Sequence, residues 1–274
     1  MKKTVLITGA SSGIGLESAL YFAEKGWNTV ATMRNPEKRE NIFKGKDNIE
    51  LLHLDVLDAR SIRTAIEETV KKYGVIHAVV NNAGYALMGV FEKSTREQIG
   101  KQFNTNIFGM MDVIREILPI FRKQKFGTIV NVASIGGRVG VPMYSLYQGT
   151  KWAVEGFSEA LHYELRPLNI KIKIIEPGLI KTNFYGGSMD KINTEDLGDY
   201  SFFAAPTIKH LNEADTEGSH PKVVAKGIYK AASTKSWKLR YSVGKMAKMV
   251  LFLRKILPDR LFFKMIRSST LKTK

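Results

Sequence analysis

The first fifteen residues constrain the fold most. A short apolar run, TVLIT at 4–8, passes straight into GASSGIG at 9–15, and a helical pattern, GLESALYFAEKG, begins at once. A buried strand is expected at 4–8 and a helix from there to about Gly26. Glycines at 9, 13 and 15 permit a tight turn, close approach of the backbone to a diphosphate, and close packing of helix on strand. The helix start offers free N–H groups to an anion. A plain strand-to-helix turn also uses glycine, so the weight of the motif comes from its place in the chain.

That place is the head of a repeated strand-then-helix pattern. Further strands are expected at 28–34, 49–54, 76–81, 127–134, 170–177 and 239–244. Helices are expected at 59–73, 96–123, from the 140s to about 166, and at 222–232. Short β-branched runs alternating with helices of this length predict an α/β fold, a doubly wound parallel sheet of about seven strands with helices on both faces. Its crossovers should be right-handed. No internal repeat or low-complexity linker divides the 274 residues, so 1–274 is read as one domain. Residues 179–221 depart from the pattern. Polar and glycine-containing, they also hold Phe184, Tyr185, Met189, Tyr200, Phe202 and Phe203, and they are read as a lid that closes over a ligand. A surface excursion packed on the body or on another subunit is the alternative.

Composition removes whole classes of chemistry. The chain has no cysteine, which excludes disulfides, thiolate metal sites and thiol catalysis. Its five histidines show no ligand-like spacing, so no metal is expected. The apolar run after Met1-Lys2-Lys3 is shorter than the ~7–15 residues of an export signal. No stretch approaches the ~20 apolar residues of a membrane span. A cytoplasmic location is the expectation. Between Lys222 and Lys274 there are fifteen lysines and arginines against one acid, Asp259, so +14 of the formal +16 resides there. No nucleic-acid recognition pattern accompanies those charges, and no nucleic-acid partner is expected. Within this basic extension, 245–274, the run KMAKMVLFLRKIL is followed by Pro258 and then DRLFFKMIR. The preferred reading packs its apolar residues on the body or on a partner subunit. Peripheral attachment to anionic lipid is the second reading.

Several residues then stand where a dinucleotide would need them. Arg34 lies nineteen residues past Gly15, at the end of the second strand, with no carboxylate before Glu37. An arginine there accommodates a 2′-phosphate, whereas an acid holds ribose hydroxyls, so NADP is expected, with NAD as the alternative. Asp55 and its neighbour Val56 follow the third strand; Asp55 suits the adenine amino group or, equally, a helix cap. Asn81-Asn82-Ala83-Gly84 ends the fourth strand with small and amide residues, which suit a turn or a close cofactor. Asn106 falls inside a helical stretch, where asparagine is a poor helix former. A buried amide there needs partners, one possibility being a water linking it towards Lys151. Tyr147 and Lys151 are four apart and share a helix face. Ser134 lies thirteen residues before the tyrosine, at the end of the fifth strand. A lysine ammonium near a phenol favours the phenolate, and a serine hydroxyl can stabilise charge on a substrate oxygen. On its own, a tyrosine-lysine pair one turn apart is also ordinary surface.

Taken together, TGASSGIG at 8–15, NNAG at 81–84, Asn106 in NIFG, Ser134, the Tyr147/Lys151 pair and Pro177-Gly178 resemble the short-chain dehydrogenase/reductase family. The matches run from Thr4 to about Thr182, in the family's order. The resemblance implies a Rossmann-type sheet and an oxidoreductase acting on CH–OH/C=O groups. By motif it assigns Tyr147 as acid/base, Ser134 as the group orienting the carbonyl, Lys151 as the residue lowering the tyrosine pKa and holding the nicotinamide ribose, and Asn106 as support for a relay water. It assigns cofactor contacts to Gly9, Ser11, Ser12, Gly13, Ile14, Gly15, Arg34, Asp55, Val56, Asn82, Ala83, Gly84, Tyr147, Lys151, Pro177, Gly178 and Thr182. Gly149-Thr150 stands where the family often has Ala-Ser. ATMRNPEK and the carboxyl-terminal sequence are similar to the group containing hydroxysteroid and retinol dehydrogenases and their bacterial relatives. That likeness implies a lipophilic alcohol or ketone substrate, and a homo-oligomer is expected. A dinucleotide-binding regulator without turnover is the competing reading.

Overall fold

Val5, Leu6 and Ile7 have no exposed surface, and every residue of the strand Thr4–Thr8 (β1) is buried. Loss of the in-out alternation is what a parallel strand covered on both faces requires. The computed structural model describes residues 2–181, 189–192, 197–214 and 218–271. The other strands are Asn28–Met33 (β2), Ile49–His53 (β3), Ala78–Asn81 (β4), Ala86–Met88 (β5), Gly127–Val132 (β6), Ile170–Pro177 (β7), Met189–Lys191 (β8) and Arg240–Val243 (β9). Seven of them form one sheet in the order β3-β2-β1-β4-β6-β7-β9, all pairs parallel. The doubly wound sheet read from the sequence is the observed one.

Helices cover both faces. On one side lie Ala59–Tyr73 (α3), Gly109–Gln124 (α5) and Ser145–Leu165 (α6), whose Ile62, Ile114 and Val154 join Leu6, Val79 and Ile129 in one core. On the other, Gly13–Glu24 (α1) and Lys222–Ser233 (α8) bring Phe22 and Ile228 onto Ile7, Ala31 and Val130. Strand order reverses between β1 and β4. The crevice at their carboxyl ends is where doubly wound sheets bind ligands.

Three local expectations need correction. The helix expected at 96–123 is two, Arg96–Phe103 (α4) and α5, joined by a π-type turn at Asn104–Phe108. Such a turn inserts an extra residue and redirects side chains, and here Asn106 is turned into the protein. The cap of α3 is Asp58, whose Oδ1 accepts from Arg60 N–H at 2.9 Å, and not Asp55, which closes a turn onto Leu57 N–H at 3.0 Å. Residues 179–221 are not all irregular, because β8 pairs in parallel with β5 and Ser201–Ala214 is helical (α7). Phe184 and Tyr185 of the expected lid, and Thr182, lie outside the described residues. A short helix, Glu40–Phe43 (α2), completes the body. Past β9, Ala247–Ile256 (α9) and Asp259–Thr270 (α10) form a hairpin broken at Pro258.

Candidate active site

The glycine turn is held shut by groups from two strands. Gly9 and Gly13 have positive φ, +68° and +54°. A Cβ on Gly9 would lie 2.8 Å from Ala83 Cα, and one on Gly15 would lie 2.2 Å from the Gly9 carbonyl oxygen. Thr8 Oγ1 accepts from the N–H groups of Asn82 and Ala83, both at 3.0 Å, and Asn82 Nδ2 donates to the carbonyls of Thr8 and Gly9, both at 3.0 Å. Asn82 and Ala83 thus join the ends of β4 and β1. Thr8 is the partner that motif reading passed over. The start of α1 has Ser12 at its N-cap without a side-chain cap bond, and no acid in its first turn. A helix N-terminus left in that state suits a diphosphate, and the missing Cβ atoms suit its close approach. The residues present fit a dinucleotide.

Around this turn, Arg34 is exposed just past β2, and its side chain has no ion pair among the described residues. Val56 is buried beneath Gly109, where an added Cβ would lie 2.7 Å from Val56 Cβ. Gly84 faces Asn106, whose Oδ1 would be 3.0 Å from a Cβ there. Gly178, after Pro177 at the end of β7, leaves room for the backbone of Lys245, since a Cβ would come 2.1 Å from that carbonyl oxygen.

Ser134, Tyr147 and Lys151 meet at the carboxyl end of β6. Ser134 follows the strand in extended conformation, and its Oγ accepts from Gly136 N–H at 3.0 Å. The turn that follows presses on α6, where a Cβ on Gly137 would lie 2.7 Å from the Lys151 carbonyl. This packing returns the serine to the tyrosine, and its hydroxyl pulls the Tyr147 phenol pKa down. Lys151 is buried, donates to the Val132 carbonyl at 2.8 Å, and holds its Nζ 5.7 Å from the centre of the Tyr147 ring.

Asn106 is held by the loop after β4 and by α6. Its Nδ2 donates to the Tyr85 carbonyl at 2.9 Å and to Thr150 Oγ1 at 3.1 Å, and its Oδ1 accepts from Tyr85 N–H at 3.1 Å. Thr150 in turn donates to the Tyr147 carbonyl at 2.6 Å. Asn106 therefore ties the loop after β4 to the helix bearing the tyrosine. The threonine at 150 gives that link a hydroxyl, a function its position between Tyr147 and Lys151 did not reveal.

Burial dominates the charges of the site. It pushes the Tyr147 phenol up to about 12, opposed by the Ser134 hydroxyl, and pushes Lys151 down to about 8, opposed by the carboxylate of Glu155 one turn on. Burial, then Glu176, raises Glu155 to about 7 against Arg240, which donates to Glu155 Oε2 at 2.9 Å. Glu155 ordinarily titrates near 4.5. Between that value and 7 the folded chain binds more protons than the unfolded one, so stability falls as pH rises through this window. Lys151, lowered from 10.5 to about 8, acts oppositely at higher pH: the unfolded chain holds more protons there, and stability rises with pH. Glu155→Gln is expected to flatten the fall in melting temperature between about pH 5 and 7 by roughly 2–4 °C. An unchanged slope would assign that fall elsewhere.

An apolar surface adjoins the tyrosine. Met143, Tyr144, Tyr147, Tyr200 and Phe203 belong to one cluster, with the Tyr144 and Tyr147 rings edge to face at 6.1 Å. A cleft of 480 Å³ opens there between Val90, Phe91, Pro142, Met143, Tyr200 and Phe203. A second cleft, of 990 Å³, lies at the amino ends of the strands among Lys2, Tyr21, Asn28, Asn48 and Lys72, away from these groups.

Comparison with known proteins agrees with this geometry. The short chain dehydrogenase family model matches residues 3–192. The chain is 34% identical to a 3-ketodihydrosphingosine reductase of Bacteroides thetaiotaomicron and 37% identical to the uncharacterized oxidoreductase YusZ of Bacillus subtilis, each match covering 94% of both chains. Among solved structures, a short-chain dehydrogenase from Streptomyces avermitilis superimposes with TM-score 0.82 at 30% identity over 98% of each chain. ElxO with NADP bound does so with TM-score 0.73 at 32% identity, covering 89% of this chain and 97% of ElxO. A sheet of this order, a glycine turn closed by two strands, and relatives matched along almost their whole length have one explanation: the chain is an oxidoreductase belonging to the short-chain dehydrogenase family.

Proposed function

We propose that the chain transfers hydride between NADP(H) and a lipophilic ketone or secondary alcohol, with Tyr147 as the proton donor and acceptor. The observation that carries this reading is the gathering of Ser134, Tyr147 and the buried Lys151 on the sheet edge that also bears the glycine turn, with the Lys151 head on Val132 and 5.7 Å from the Tyr147 ring centre. When bound, the nicotinamide supplies or accepts the hydride. The Tyr147 phenol, neutral at pH 7, holds a proton to give to a carbonyl oxygen as it becomes an alkoxide. The Ser134 hydroxyl is placed to stabilise the same oxygen. Lys151, anchored on Val132, offers positive charge beside the ring and its hydrogen-bonding head to a ribose. Asn106 acts as a positioning residue through Tyr85 and Thr150.

The lipophilic substrate is supported by the apolar cleft lined by Met143 and Phe203, which share a cluster with Tyr147, and by the 3-ketodihydrosphingosine named for the Bacteroides relative. Helix α7, with Tyr200 just ahead of it and Phe203 on it, would form one wall of the lid. Tyr200 is tethered to Glu92 across the cleft at 2.6 Å. Assay of NADPH oxidation with sterol, retinoid and long-chain 3-keto substrates tests the proposal. Cofactor binding without turnover on any of them would favour a dinucleotide-binding regulator.

Support for NADP over NAD comes from Arg34 and from the NADP-bound relative of known structure. Arg34→Asp is expected to weaken NADPH binding by about tenfold or more while sparing NADH, because it sets a carboxylate against the 2′-phosphate. Equal losses for both cofactors in parallel titrations would refute this role.

A further inference from the structure

The carboxyl-terminal hairpin leaves a large apolar surface uncovered. Its inner side is accounted for: Val250 and Phe262 are buried against Val139 and pack with Val141, in the loop after Ser134. Its outer side is not. Met249, Phe252 and Ile256 follow one another along α9 at helical spacing and are 53%, 60% and 53% exposed. On α10, Leu261 and Phe263 are 53% and 55% exposed. Packing on the enzyme body, the first half of the reading preferred from sequence, thus accounts for Val250, Leu251, Leu253 and Leu257 but not for these exposed residues.

The other half, a partner subunit, meets an electrostatic obstacle. Lys248, Lys255, Arg260, Lys264 and Arg267 are exposed on the same two helices and have no ion pair among the described residues. The hairpin's one acid, Asp259, is already bonded to Arg254 at 2.5 Å. A symmetric contact between two copies sets a patch against itself, and here that would bring basic groups against basic groups as they lose water. An anionic surface answers both features at once, because it takes up the aromatic and aliphatic side chains while neutralising the lysines and arginines. No helix among the described residues is long and apolar enough to cross a membrane, so the contact would be peripheral.

We infer that the α9–α10 hairpin docks the protein on an anionic lipid bilayer, with Met249, Phe252, Ile256 and Phe263 entering the interface and the flanking lysines and arginines meeting lipid headgroups. Helix α10 also contacts α7, whose Phe203 lines the 480 Å³ cleft. Docking would therefore hold the cleft close to the lipid. That consequence rests on the proposed lipophilic substrate; the docking itself does not.

Flotation of the full-length protein tests it without any substrate. The probes are phosphatidylcholine vesicles with and without about 30 mol % phosphatidylglycerol, at low salt and at about 0.5 M salt. The bound fraction is expected to be about tenfold greater on anionic vesicles and to fall in high salt. Lys248→Glu/Lys255→Glu/Lys264→Glu should abolish the anionic preference. Phe252→Ser/Phe263→Ser should reduce binding about tenfold or more, with melting temperature and NADPH binding unchanged because the replaced side chains are exposed. No flotation of the folded protein with anionic vesicles, or flotation indifferent to both variants, would overturn the inference. So would a sedimentation-velocity shift from dimer to monomer in the Phe252→Ser/Phe263→Ser variant without lipid binding, since the face would then be a subunit contact.

Discussion

Tyr147→Phe is expected to lower turnover by about 10²–10⁴-fold while NADPH still binds. The substitution removes one oxygen from a residue that the surroundings hold by its ring. The Tyr147 ring packs edge to face with Tyr144, and its backbone carbonyl accepts from Thr150, so neither contact depends on the phenol. What disappears is the phenolic hydroxyl, the group proposed to deliver a proton to the carbonyl oxygen. Burial pushes that phenol up to about 12, so it is protonated at neutral pH and available as an acid in the reductive direction. The check is a pair of measurements on one preparation: steady-state turnover on a verified substrate, and a fluorescence titration with NADPH. Near-full activity in the variant would remove Tyr147 from the chemistry. Loss of NADPH binding would instead point to a broken site.

Gly15→Ala is expected to separate the same two properties in the reverse sense, by destroying cofactor binding first. The added Cβ would lie 2.2 Å from the Gly9 carbonyl oxygen and 2.6 Å from Asn82 Nδ2. The first is backbone, and the second is a side chain fixed by two hydrogen bonds to Thr8 and Gly9, so neither can move away alone. The turn must open, and the ties between the ends of β1 and β4 must loosen with it. Overpacking of this kind costs about 1–3 kcal/mol. Because the strain falls on the anion site, NADPH affinity should drop on the order of 10²-fold. Gly149→Ala supplies the control. Its Cβ would meet only a Phe103 ring carbon at 3.7 Å, on an exposed face of α6, and alanine there should stabilise the helix by about 0.5–1 kcal/mol. If Gly15→Ala bound NADPH as tightly as the parent protein, the glycine turn would not be the phosphate cradle.

Much of the architecture is legible in the letters because it rests on local rules. TVLIT reads as a strand because buried parallel strands favour continuous apolar or β-branched residues, IKIKIIEP reads as one from its β-branched isoleucines at 170, 172, 174 and 175, and both segments occupy the sheet as read. Residues 59–73 read as a helix from their spacing, and α3 has those bounds. The glycines at 9 and 15 could be singled out because only glycine tolerates a neighbouring backbone so close. The Tyr147/Lys151 spacing needed only the pitch of a helix.

What the tertiary structure decided involves partners far apart in the chain, and local periodicity holds no information about them. The break at Asn104–Phe108 coincides with the bonds of Asn106 to Tyr85 and Thr150; the asparagine marked a weak point in the helix, but its partners could not be read from NTNIF. Pairing of β5 with β8 joins two three-residue segments about a hundred residues apart, each too short to show a period of two. Lys151 has its head on Val132, nineteen residues back, with Glu155, Arg240 and Glu176 gathered behind it from three elements. The hairpin is the sharpest case. Its sequence shows that α9 and α10 mix apolar and basic residues, but which apolar side chains find the core is fixed by the rotation of each helix on the body. Val250 and Phe262 point inward onto Val139, and Phe252 and Phe263, two residues and one residue further along, are left facing outward.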